Sequence, residues 1–159
     1  MDATNLAREM EERFEGQLQT VTRSSKRVFA SVPPERLREL VEWLRGRIDG
    51  FRLSTSTGID LRDGIGVFHH FVVNGMPLVI TIKVMASKPK PKLPSLARMI
   101  PAALWIEREI HDFLGIEFED HPDPRRLLKA RAFGDDVHPL RRDFDVREFK
   151  ERIKQLPDF

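Results

Sequence analysis

Apolar positions along the chain fall into two periods, near four and near two. Leu6, Met10 and Phe14 stand four apart, which predicts one face of a short helix over residues 4–14. "LQTVTRS" and "RVFASV" follow as two β segments joined at Ser24–Ser25–Lys26. In "PPERLRELVEWLRGRIDG" the apolar residues Leu37, Leu40, Val41, Leu44 and Ile48 return at helical spacing. Prolines suit the helix start and Gly50 a stop. The period then drops to two. "FRLSTSTGIDL", "IGVFHHFVV" and "PLVITIKVM" read as strands, separated by Arg62–Asp63–Gly64 and by Asn74–Gly75. Asn–Gly between such runs signals a hairpin, with positive φ expected at both turn positions. In the last strand Leu78, Ile80, Ile82 and Val84 share one face, the alternation of a half-buried antiparallel strand.

The first half therefore predicts the order α-β-β-α-β-β-β, an α+β fold with a mainly antiparallel sheet and helices on one face. Residues 1–86 form this α+β part. Residues 87–95, "SKPKPKLPS", hold three prolines and three lysines and predict an extended, solvated connector with little sheet. Residues 96–159 then supply a helix from about Pro101 to Leu114 stopped by Gly115, a long irregular C-terminal arm, and a short last helix in "DVREFKERIKQL". All three segments are expected to belong to one structural domain.

Composition narrows the chemistry. The chain has 159 residues and no cysteine, which excludes disulfides, cysteine-ligated iron–sulfur clusters, thiolate zinc sites and a cysteine nucleophile. Its 27 basic and 25 acidic residues nearly cancel, so ion pairing and protein contacts are favoured over a nucleic-acid face. No apolar run reaches the ~20 residues of a membrane span, and "MDATNLAREMEERF" is too acidic for a signal peptide. Cytoplasmic residence is expected.

Charge is densest in "WIEREIHDFLGIEFEDHPDPRR", residues 105–126. Turned by 100° per residue, Ala102, Trp105, Ile106, Ile110 and Phe113 form the apolar side of its helix, with Glu107, Arg108 and His111 opposite. Arg108 and Asp112 are placed to pair along the surface. Glu109 falls between Trp105 and Ile106, so it is expected to be buried and to need a cation from Arg125, Arg126, Arg141 or Arg142. The arm is thereby expected to fold back over the helix through arginine–carboxylate pairs. A metal site on His111, His121 and His138 with Asp112 or Asp123 has no recognised ligand spacing. Acid–base work by Glu109 or Asp112 with His121 lacks any accompanying nucleophile elbow or phosphate loop. His69 and His70 alternate on a strand and cannot share one ion. A structural knot is the reading the residues favour.

These residues also carry a resemblance. Glu107, Arg108, Glu109, Asp112, Phe113, Leu114, His121, Arg125, Leu127 and Leu128 are spaced as in the signature of the NuoC-type (thirty-kilodalton) subunit family of respiratory complex I and related membrane-bound nickel-iron hydrogenases. "LPSLARMIPAALW" before the signature and "HPLRRDF" after it resemble the same family, from Leu93 to Phe144. The resemblance implies a non-catalytic subunit with an α+β fold and no cofactor of its own, clamped on a hydrogenase-like large subunit beside an iron–sulfur subunit. Iron–sulfur clusters, and a nickel-iron centre where present, would lie in those partners, and the membrane would be reached only through them. The structural and interface residues it implies are Glu107, Arg108, Glu109, Asp112, His121, Pro122, Arg125, Arg126, Pro139, Leu140, Arg141, Arg142, Asp143 and Phe144. His111, the Asp123–Pro124 pair and the lack of a C-terminal extension resemble the hydrogenase branch more than complex I proper or a sulfur-reducing relative.

Overall fold

The computed structural model describes residues 2–130 and 133–154. The chain runs α1 (Ala3–Arg13), β1 (Gln19–Ser24), β2 (Arg27–Ser31), a single 3₁₀ turn at Pro34–Arg36, α2 (Leu37–Arg47), β3 (Phe51–Asp60), β4 (Ile65–Val73) and β5 (Met76–Ala86). It continues through β6 (Lys92–Pro94), α3 (Ala103–Leu114), β7 (Glu117–Glu119) and α4 (Val146–Lys154). The expected α+β order is what forms.

Five strands make one sheet in the order β1-β2-β5-β4-β3. Every pairing is antiparallel except β2 with β5, which is parallel. A chain cannot reverse tightly into a parallel neighbour. Here α2 and the β3–β4 hairpin lie between β2 and β5.

Alternation divides the sheet into two faces. Ile65, Val67, His69 and Phe71 on β4 face the helices with Leu78, Ile80, Ile82 and Val84 on β5 and Val28 and Ala30 on β2. Leu6 and Met10 of α1 and Leu37, Leu40, Val41 and Leu44 of α2 complete this core without exposure to solvent. Asp2 caps α1 by accepting the Asn5 N–H at 2.9 Å, satisfying one of the free amides of the first turn.

Two local expectations need correcting. At the β4–β5 turn only Gly75 takes a positive φ, +75°, and the register shifts between Val72 and Val73. Asn74 is held otherwise by tertiary contact: its N–H donates to the Gly50 carbonyl at 3.0 Å, and a Cβ on Gly50 would lie 2.8 Å from the Asn74 Cβ. The supposed connector is also not free of sheet. Lys92–Pro94 pairs in parallel with Glu117–Glu119, with Leu93 opposite Phe118 and fully buried. The prolines still leave enough N–H groups for this short ladder, and burying Leu93 gives it a reason to form.

Helix α3 lies against β3 on the same face of the sheet as α1 and α2. The approach is possible because Gly58 has no side chain. A Cβ there would collide with Leu114 Cδ1 and lie 3.1 Å from Ile110 Cγ2.

Candidate functional site

The phase of α3 differs from the sequence expectation. Its buried residues are Ala103, Glu107, Ile110, Asp112 and Leu114, whereas Trp105 is 65% exposed and Glu109 is exposed. The buried glutamate is therefore Glu107, and Glu109 needs no cation. Counting the large indole as core set the helix wheel wrongly. The covered stripe is fixed by Ile110 and Leu114 against Gly58.

Glu107 is satisfied by neutral donors. The Ser95 hydroxyl donates to Oε2 at 2.5 Å and the Leu96 N–H to Oε1 at 2.7 Å. His121 Nε2 stands 3.8 Å from Oε2. Burial pushes the Glu107 carboxyl up to about 7, against the lowering pull of the Ser95 and Leu96 bonds and the Arg38 charge. Arg38, reaching from α2, ties down the end of the two-stranded sheet. It donates to the carbonyls of Ser95 at 2.9 Å and Glu119 at 2.6 Å, and pairs with Asp120 at 2.8 Å.

The arm does fold back over α3, held mainly through its main-chain groups. The one arginine–carboxylate pair between them among the described residues, Arg108 with Asp123, runs from helix to arm, the reverse of the expected direction. Asp112 Oδ2 accepts the N–H groups of Leu127, Leu128 and Lys129 at 2.9, 2.7 and 3.0 Å. Burial alone would raise the Asp112 carboxyl, but these three donors hold it below its ordinary value. Arg108 does not meet Asp112. It pairs with Asp123 at 3.0 Å and donates to the carbonyls of Arg125 and Arg126 at 2.8 and 3.1 Å. Asp123 also takes a two-pronged contact from Arg125, 2.7 and 2.8 Å, which holds its carboxyl far below the usual range. Arg126 bonds the Ala130 carbonyl at 3.1 Å and pairs with Asp135.

The C-terminal carbonyls of α3, which no helix can satisfy internally, are all met. Gly115, at φ +68°, donates to His111 O at 2.8 Å. His138 Nδ1 lies 3.2 Å from Asp112 O, Leu140 N–H donates to Phe113 O at 3.1 Å, and Arg141 Nε donates to Leu114 O at 2.8 Å. The Arg141 cation suits this end of a helix dipole. The Arg142 side chain is exposed, while its N–H donates to Asp60 Oδ2 at 2.8 Å on the end of β3. Pro122 and Asp143 are exposed, Pro139 is half-buried, and Phe144 rests 5.5 Å from Phe149 of α4.

The polar groups of this arrangement are paired with one another. Ser95 donates to Glu107 and accepts the Ala97 N–H at 3.0 Å, and both Ser95 and Glu107 are buried away from solvent. His121 donates through Nε2 to Leu104 O at 3.0 Å and accepts the Asp123 N–H at Nδ1. His111 spends Nδ1 on Ile116 O at 2.8 Å. Among the described residues no three such side chains converge to hold a metal ion. No described helix is long and apolar enough to cross a membrane. Sequence reasoning missed Arg38 and Lys129. Arg38 gives no local signal, lying 57 residues before its partner Ser95. Lys129 is buried in the arm, with Nζ 3.0 Å from Val137 O.

The C-type subunit of the NADH-quinone oxidoreductase of Chloroherpeton thalassium is 41% identical over 100 residues, covering 62% of this chain and 41% of that relative. The match thus spans less than half of that relative's length. The membrane-bound hydrogenase subunit beta of Pyrococcus furiosus is 29% identical over 150 residues, covering 89% of this chain and 85% of its own length. In fold, the chain is similar to one in the structure of the membrane-bound sulfane sulfur reductase, an archaeal respiratory membrane complex. The TM-score is 0.81 at 21% identity, over 98% of this chain and 94% of that one. Residues 30–150 match the family described as respiratory-chain NADH dehydrogenase, 30 Kd subunit, and the chain belongs to that family.

Proposed function

We propose that this chain is a non-catalytic assembly subunit of a complex-I-like, membrane-bound nickel-iron hydrogenase, docked on a hydrogenase-like large subunit in the peripheral arm. One observation carries the reading. Glu107, Asp112, Asp123, His111, His121 and His138 are all engaged in bonds that hold α3 and the arm, while Trp105, Leu128 and Leu140 stand 65%, 58% and 65% exposed on the same helix and arm. An exposed tryptophan is a usual anchor of a protein interface, and exposed leucines beside it add apolar area to cover. In this reading Glu107, Arg108, Asp112, His121 and Arg141 shape the docking arm, and the exposed apolar groups meet the partner.

The hydrogenase branch is supported by the alignment to the Pyrococcus furiosus subunit, which runs through most of both chains. In the second reading the chain is the equivalent subunit of an oxidoreductase passing electrons from NADH or another donor to quinone. The higher identity to the Chloroherpeton thalassium protein favours it. In either case this chain holds no cofactor. Clusters and any nickel-iron centre belong to the large and iron–sulfur subunits, and the complex sits on the cytoplasmic face of the membrane.

Affinity purification of the tagged chain from native membranes tests this. The expected result is co-purification of a large subunit and iron–sulfur proteins. Two paired-cysteine motifs in the large subunit assign the hydrogenase branch, and their absence assigns the quinone branch. Recovery of a lone chain with stoichiometric zinc or iron would overturn the assembly reading in favour of a metal-dependent enzyme.

A further inference from the structure

The helices cover one face of the five-stranded sheet, and the register shows what lies on the other. Four rows cross it. Arg27, Val79, Val72 and Arg52 form one, with arginine at both ends. Val21, Phe29, Thr81, His70 and Thr55 form the next, then Gln19, Ser31, Lys83, Phe68 and Thr57, then Met85, Gly66 and Ile59. Arg23 joins the face by lying over the Phe29 ring, 5.5 Å from its centroid. Phe29, Phe68, Val72, Val79 and Met85 are half-buried and Val21 is 55% exposed, so an apolar centre reaches solvent.

The charges on this face share one sign. Arg23, Arg27, Arg52 and Lys83 are present and no residue of these rows is acidic. Ion pairs elsewhere use other cations, and among the described residues none joins these four to a carboxylate. In a chain with 27 basic and 25 acidic residues, such segregation is a local feature. The centre is also held rigid. His70 lies 3.1 Å from the Thr81 hydroxyl and 3.5 Å from that of Thr57, linking β3, β4 and β5.

We propose that this open sheet face is a second docking surface, and that its occupant is an acidic surface of another protein of the same complex. The proposal rests on the assembly reading above and adds a partner chemistry to it. Charge complementarity selects the occupant. A second copy of this chain would set four cations against four in a two-fold contact. Single-stranded nucleic acid is held by stacking on free ring faces. The Phe29 ring is covered by Arg23, and Phe68 and His70 are tilted by 37° at 6.5 Å. An acidic protein surface with apolar groups at its centre meets both features.

Lys83 stands in the middle of the face and can be read chemically. The complex is purified from native membranes through a tag on this chain. It is then treated with a zero-length carbodiimide, and in parallel with an amine-acetylating reagent. The expected results are a covalent link from Lys83 to an aspartate or glutamate of another subunit, and at least tenfold slower acetylation of Lys83 than in the isolated chain. Arg27→Glu with Lys83→Glu should lower subunit retention while leaving the isolated chain's circular dichroism unchanged. Partners present with Lys83 acetylated at its isolated rate would overturn this surface alone. So would a link only to a second copy, or Lys83 protection that nuclease removes. A chain that leaves the membrane without partners would overturn the assembly reading together with it.

Discussion

The Ser95 hydroxyl donates to the Glu107 carboxylate at 2.5 Å, and both residues are closed off from solvent. A helix and the end of a short strand twelve residues apart in sequence are thus joined by a neutral donor and a reluctant acid. Glu107→Ala should cost about 2–4 kcal/mol, because the Ser95 hydroxyl and Leu96 N–H would both be left unpaired in the interior. Glu107→Gln mimics the protonated acid and should cost about 1 kcal/mol. Glu109→Gln, on the solvent side of the same helix, should stay within about 0.5 kcal/mol. Urea unfolding of the three variants checks the order, and equal loss at Glu107 and Glu109 would contradict the burial described.

Two buried groups give stability opposing dependences on pH. Glu107 is raised from 4.5 to about 7, so the folded state holds a proton that the unfolded chain has released, and stability falls as pH rises from about 4.5 to 7. His69, buried against Ile82 and Phe71, is lowered by desolvation from 6.5 to about 3. The unfolded chain binds that proton first, so stability is lost as pH falls from about 6.5 to 3. Relative to the parent, Glu107→Gln should remove the falling slope and His69→Phe the acid-side loss. Denaturant midpoints measured every half pH unit from about 4 to 8 separate the two.

Asp112 holds three consecutive amides of the arm on one oxygen. Asp112→Ala should cost about 3 kcal/mol, with most of the effect local to the arm. Amide hydrogen exchange should show faster exchange at Leu127, Leu128 and Lys129 while β4 and β5 keep their protection. Uniform acceleration across the sheet would mean the arm is not a separate cooperative unit.

Gly115 is constrained twice. Its φ of +68° disfavours any side chain, and a Cβ would collide with the His138 ring. Gly115→Ala should cost about 2 kcal/mol or more. Trimming the ring in Gly115→Ala with His138→Ala should recover the collision but not the backbone cost. A double-mutant cycle by thermal or urea unfolding measures the coupling, and strict additivity would exclude the collision.

The sheet was legible in sequence because period-two runs such as Leu78, Ile80, Ile82 and Val84 are long and flanked by clear turns. The helices α1 and α2 were legible through Leu6 and Met10, and through Leu37, Leu40 and Leu44. For α3 the residues were legible but their facing was not. Its apolar residues encircle the helix, so the wheel gives two answers differing by the placement of Trp105. Gly58, which decides between them, lies on β3, far back along the chain. The β6–β7 pair escaped because strands of three residues carry no period. Lys129 escaped because its partners are main-chain carbonyls, which leave no mark on composition, and Arg38 because its partners, Ser95, Glu119 and Asp120, lie far along the chain.

Gly58 gives the arrangement an indirect point of control. It touches no charged group, yet it sets how near α3 can come to β3. A methyl group there would press on the ends of the Leu114 and Ile110 side chains, the two that seat α3 on the sheet. The seating of the helix that carries Glu107 and Asp112 thus depends on an empty volume beneath it, at a neutral position of the sheet.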